Sequence, residues 1–164
     1  MYYQQQRRKA LRARFGPEYT HAVRQYGSEA RAEQALADRQ RRLEKLHISF
    51  LTPADRQRFV EQWQDVQRGF VDDPGSSIQR ADELVSDVMR TRGYPVTDFE
   101  HRVEDISVDH PEVVQNFRAA HAIAERHRQG KAGTEDLRQG LVYYRDLFDD
   151  LLETQPAGER TNRR

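Results

Sequence analysis

Thr52-Pro53-Ala54-Asp55, with Phe59, Trp63, Val66 and Phe70 behind it, decides the fold class. A hydroxyl that can cap, a proline at the first helical position and an acid three residues after the hydroxyl together mark a helix start. The large apolar side chains then recur at steps of four, three and four, which is helical period.

The same grammar continues downstream. Asp73-Pro74-Gly75 reads as a turn. Ile78, Ala81, Leu84, Val85, Val88 and Met89 then share one helical face, and Gly93-Tyr94-Pro95 ends that helix. Thr97 to Glu100 is a second capping box, opening a short helix that carries Phe99, Val103 and Ile106. A third start follows, where Asp109 can cap, Glu112 can reach back and Val108 can staple onto Val113. That helix carries Val113, Phe117, Ala120 and Ala124. After Gln129-Gly130 and Gly133, Thr134 is placed to cap a last helix lined by Leu137, Leu141, Tyr144, Phe148 and Leu151. No strand pattern and no internal repeat interrupts the series. Short connectors between long helices make neighbours antiparallel. The expected architecture is all-α, an antiparallel four-helix-type bundle over residues 49–153 with the short helix near 98–106 bridging its halves. Residues 154–164 are polar and expected to be disordered.

Upstream, residues 1–48 read as a basic N-terminal helix and a charged helical arm. Gly16-Pro17 divides them. A short helix to about Tyr26 follows, with Tyr19, Val23 and Tyr26 on one side. Ser28 can cap the next helix, whose only large apolar side chains up to Leu46 are Leu36, Leu43 and Leu46. So narrow a stripe is that of an arm lying along something else.

The chain has 164 residues, enough for one domain with a real core. Charged residues make up 33% of it and mean hydropathy is −1.01, polar but without the one-sided charge of a disordered chain. Acids and bases cancel at 27 each, yet their layout is uneven. The first fifteen residues carry Arg7, Arg8, Lys9, Arg12 and Arg14 and no acid, whereas residues 72 to 112 hold eleven acids against four arginines. The five bases are the candidate contact for a partner or an anionic membrane surface. The absence of cysteine excludes disulfides and thiolate metal sites. No apolar run approaches the roughly 20 residues that cross a bilayer, so the chain as it stands is expected to be soluble.

Reactive constellations are sparse. Glu18 with His21, and Glu44 with His47, have the Glu-x-x-His spacing of carboxylate-bridged di-iron bundles, because residues three apart share a helix face. Both pairs fall in the polar N-terminal third, where little core exists to keep a metal dry, and no metal site is assigned. His110 between Asp109 and Pro111 resembles a base held by an acid, but capping already uses Asp109 and leaves His110 exposed in a first turn. His121 with Glu125, and His101 beside Glu100 and Glu104, read as surface pairs. Tyr143-Tyr144 reads as core plus rim. With neither a Gly-x-Ser-x-Gly elbow nor a phosphate-binding glycine loop, no catalytic residue and no cofactor is assigned.

Scattered segments resemble a group of bacterial uncharacterised helical proteins. They are Phe15-Gly16-Pro17-Glu18-Tyr19, Phe70-Val71-Asp72-Asp73-Pro74, Arg92-Gly93-Tyr94-Pro95-Val96, Ser107-Val108-Asp109-His110-Pro111 and Thr134-Glu135-Asp136-Leu137-Arg138. The resemblance implies no activity. It does imply an N-terminal membrane segment ahead of the basic stretch in similar proteins, which this chain lacks. Beside such an anchor, residues 7 to 14 would be juxtamembrane and the bundle cytoplasmic, at the inner face of the membrane.

The expectation is therefore a non-enzymatic helical module that binds a protein partner or itself, with an anionic membrane surface as a further contact. A metal- or small-ligand-binding bundle ranks second. Nucleic-acid binding through the basic arm ranks third, because the acidic middle offers phosphate little.

Overall fold

The computed structural model describes residues 1–153, so the expected tail at 154–164 lies outside the described residues. Within them the chain is all-α, with eight α-helices and no β-strand. These are α1 (Tyr2–Phe15), α2 (Pro17–Tyr26), α3 (Glu29–Glu44), α4 (Pro53–Gly69), α5 (Pro74–Arg92), α6 (Phe99–Asp109), α7 (Val114–Arg128) and α8 (Thr134–Leu151). A 3₁₀ turn at Pro111–Val113 precedes α7.

The chain divides into two compact units. The first comprises Met1–His47 and Thr97–Gln115; the second comprises Ile48–Val96 and the described residues from Asn116 onward. This corrects the division into a 1–48 arm and a 49–153 bundle. The cut after His47 falls next to the expected boundary, but the short helix near 98–106, expected within the bundle, is a member of the first unit. Its polar residues explain the assignment, since they meet arginines of α3 as described below.

The first unit has a core of its own, so it is more than an arm. Leu11 and Phe15 from α1, Tyr19 and Ala22 from α2, Ala32, Leu36 and Leu43 from α3, and Val103 and Ile106 from α6 are all buried. Gly16 takes φ 55° between α1 and α2, a left-handed backbone angle that favours glycine there. Ser28 caps α3 by accepting from Arg31 N at 3.2 Å.

In the second unit, Thr52 Oγ1 accepts from Asp55 N at 3.1 Å and Pro53 stands at the first position of α4. Phe59, Trp63 and Val66 are buried as their spacing requires, and Trp63 stacks on Phe148 of α8 with ring centroids 5.0 Å apart. Gly140 brings α8 close to its neighbours: a Cβ there would lie 3.0 Å from Ile123 Cγ2 of α7 and 3.3 Å from Ile78 Cδ1 of α5. Arg92, buried at the end of α5, ties the ends of this unit together. Its Nε donates to Ser49 O at 2.8 Å and its Nη1 to Leu151 O at 3.2 Å, while Ser49 N donates to Arg92 O at 2.8 Å.

Several helix ends depart from expectation by a residue or more. Asp73-Pro74-Gly75 is the start of α5, with Asp73 accepting from Ser76 N at 3.1 Å. Asp98, one residue past Thr97, caps α6 by accepting from His101 N at 2.8 Å. Asp109 stays inside α6 as its last residue and caps nothing downstream. His110, expected to be exposed, is buried and closes α6, its N donating to Ile106 O at 2.8 Å. Gly133, one residue before Thr134, precedes α8 and donates to Asp136 Oδ2 at 3.2 Å.

Candidate interaction surface

Helix α1 places its five bases in three ways. Arg8 and Arg12 flank one side of the seam formed by Leu11 and Phe15. Arg8 Nε lies 2.6 Å from Glu33 Oε1 and its Nη1 lies 3.0 Å from Glu29 Oε2; Arg12 Nη2 lies 3.1 Å from Glu29 Oε1. Tyr19 OH donates to the same Glu33 Oε1 at 2.8 Å, and the Arg12 guanidinium sits over the Tyr19 ring at 5.1 Å. Partial burial works to raise the Glu33 carboxyl, but the bonds from Arg8 and Tyr19 outweigh it and hold the group below the ordinary carboxylate value. Arg14 makes a looser pair with Asp109 at 3.6 Å. Arg7 and Lys9 make no ion pair among the described residues and are exposed.

The other side of α1 borders a groove against α3 with a volume of about 660 Å³. Its apolar lining is formed by Ala10, Leu11, Ala13 and Ala37, with the polar Gln40 beside them. Arg7, Arg14 and Arg41 stand around it with Glu44 as the only acid lining it. Arg41 also pairs with Asp38 one turn back on α3. At the start of α1, Tyr2 and Tyr3 are exposed and meet edge to face.

Beneath this surface the first unit is charged inside, which periodicity alone did not predict. Arg39 Nη1 of α3 donates to Glu18 Oε1 of α2 at 2.8 Å and to Ser107 Oγ of α6 at 3.2 Å, and both charged side chains are buried. One turn on, Arg42 reaches Asp105 Oδ1 at 2.7 Å and Glu104 Oε2 at 3.3 Å. Burial pushes the Asp105 carboxyl above its ordinary value, against the pull of Arg42. The i, i+3 spacing of Arg39 and Arg42 puts both guanidinium groups on one face of α3 but does not by itself say that the face is covered.

The histidines take separate places. Glu18 is engaged with Arg39, and Glu44 borders the groove; neither Glu-x-x-His pair joins a cluster of three metal-ligating side chains among the described residues. His101 Nδ1 lies 2.8 Å from Asp98 Oδ2, and that bond raises its pKa above the ordinary imidazole value. His121 Nε2 lies 4.0 Å from Glu125 Oε1. Tyr144 is buried and donates to Asp82 Oδ1 at 3.3 Å, whereas Tyr143 is half-buried. Among the described residues no helix is long and apolar enough to cross a membrane.

No family model, no curated protein and no solved structure matches this chain.

Proposed function

We propose that the chain is a non-enzymatic helical module that binds a protein partner through the α1 side of its first unit. One observation carries this reading. The bases of α1 are divided, with Arg8 and Arg12 neutralised by Glu29 and Glu33, while Arg7 and Lys9 face solvent without an ion pair among the described residues. Unpaired cations on a helix anchored from behind offer electrostatic steering to an acidic partner.

Insertion of α1 into a lipid interface fits less well. Its buried residues are Leu11 and Phe15, and its outward positions include Gln4, Arg7, Lys9, Ala10 and Ala13, so no broad apolar stripe faces outward. Beside an N-terminal anchor of the kind the similar proteins carry, the basic flank would set the module on the cytoplasmic side.

The test is affinity co-purification with the full chain, comparing wild type with an Arg7→Glu, Lys9→Glu double variant at low salt and at about 1 M salt, where the screening length is about 3 Å. The expected result is a partner held by wild type at low salt, released at high salt and missing from the double variant. Equal retention by both proteins would overturn the reading. Sedimentation with phosphatidylserine-containing vesicles supplies the other arm. Pelleting of wild type but not of the variant, with no protein partner retained, would replace the protein partner by a lipid surface.

A further inference from the structure

Resting on that reading, we infer that the α1–α3 groove is the docking site and that its occupant is an acidic amphipathic helix. The floor is suited to a helix. Three of the lining residues, Ala10, Ala13 and Ala37, present only a methyl group beside Leu11 and Gln40, so a third helix can approach α1 closely over Ala10 and Ala13 while its leucines fill the space that longer side chains there would take.

The rim selects the charge. Arg7 and Arg14 are seven residues apart on α1, two turns and about 10 Å along the axis. A partner helix with glutamates seven apart therefore meets both at once, and its apolar side chains between those glutamates fall over Ala10 and Ala13. Arg41 adds a third cation from α3, against Glu44 as the only acid lining the groove.

Within the unit, Glu29 and Glu33 are taken by Arg8 and Arg12 on the opposite side of α1, so they do not neutralise this rim. Arg14 with Asp109 and Arg41 with Asp38 are exposed surface pairs, the kind that exchanges readily for a partner's carboxylates. A nucleic-acid backbone would meet the same rim arginines, but it has no apolar side chains to lay over Ala10 and Ala13, and Glu44 repels it.

The probe is a fluorescein-labelled helical peptide as long as α1, built from the heptad Glu-Gln-Ala-Leu-Leu-Gln-Ala, with a version carrying lysine for glutamate as control. Anisotropy titrations against the full chain are expected to show binding of the acidic peptide alone. Binding should weaken about tenfold or more in Arg7→Glu, in Ala10→Trp (which fills the floor without changing charge), and on raising salt. Circular dichroism checks that Ala10→Trp melts like wild type; should it melt early, Ala13→Gln takes its place.

Equal affinity for wild type and the floor variant would overturn the groove as the site, while leaving the module reading standing. Failure of the peptide to bind, with a co-purified partner still lost in the Arg7→Glu, Lys9→Glu variant, would overturn the acidic helix alone. A wild-type dimer in light scattering that is broken by the floor variant, with no peptide binding, would make the occupant a second copy and overturn the inference. Loss of both the peptide and any partner would overturn inference and reading together.

Discussion

Arg39 Nη1 lies 2.8 Å from Glu18 Oε1 inside the first unit, joining α3 to α2 through a pair of charges that are both almost wholly removed from solvent. The same nitrogen reaches Ser107 Oγ at 3.2 Å, so three helices meet at one guanidinium. Arg39 Nε and Nη2 are also buried and have no hydrogen-bond partner. Such a pair is a poor source of net stability, because desolvation offsets much of its Coulomb attraction. Its effect is to fix which helices meet.

The first prediction follows from that imbalance. Replacing one partner, Arg39→Met or Glu18→Leu, strands a buried charge and should cost about 3–5 kcal/mol. The double replacement removes both charges and should recover most of the loss. Urea midpoints of the four proteins measure the cycle, and two single losses that simply add in the double variant would refute it.

Trp63 supplies the second. It stacks on Phe148 between α4 and α8 at 5.0 Å and is buried. Trp63→Ala should cost about 3–5 kcal/mol from lost transfer energy and the cavity left behind. Circular dichroism is the suitable monitor, since the variant has no tryptophan fluorescence. An unchanged melting curve would remove Trp63 from the core.

A third prediction concerns pH, where Asp105 and Glu33 act in opposite directions. Burial raises the Asp105 carboxyl above its ordinary 3.8, so the folded state holds that proton more tightly than the unfolded chain does. The contribution is fully present below 3.8 and lost as pH rises through the folded value. Glu33 is held below its ordinary 4.5, so its contribution is present above 4.5 and lost as pH falls through the folded value. Relative to wild type, Asp105→Asn should therefore gain stability as pH climbs from 3.8, whereas Glu33→Gln should lose stability as pH climbs towards 4.5. Denaturant midpoints across a pH series read both slopes, and a reversed sign in either would refute the assignment.

The fourth rests on Arg92, whose guanidinium donates to Ser49 O and Leu151 O from a buried position. Arg92→Lys cannot span both carbonyls with one ammonium group. It should destabilise the second unit by about 1–3 kcal/mol, the cost of leaving a buried acceptor unsatisfied. Hydrogen exchange should show the loss first at Leu51, whose N donates to Glu153 O beside that junction.

These residues also mark how far a sequence can be read. Phe59, Trp63 and Val66 were legible because apolar side chains at helical spacing have one place to go, the interior. Cap positions slipped by one at Asp98 and Gly133, where neighbouring residues compete for the same role. Arg39 and Arg42 were not legible, since a charge on a helix looks solvated until its partners are known, and those partners on α6 lie more than sixty positions away in the chain. His110 was misjudged for a related reason: α6 runs on through Asp109, so the residue expected to open the next helix closes the previous one. Of the candidate surface, the sequence showed the five bases but not which of them their own fold would neutralise.

Because the first unit is completed by Thr97–Gln115, its N-terminal helices are synthesised well before the segment that finishes it. Roughly 50 residues of chain separate His47 from Thr97, which at ribosomal speeds of about 5–20 residues per second is a delay of roughly 3–10 s. Through that interval a nascent α3 holds Arg39 and Arg42 without Ser107 and Asp105. The beginning of this polypeptide therefore has to wait, half-finished, for its middle to emerge from the ribosome.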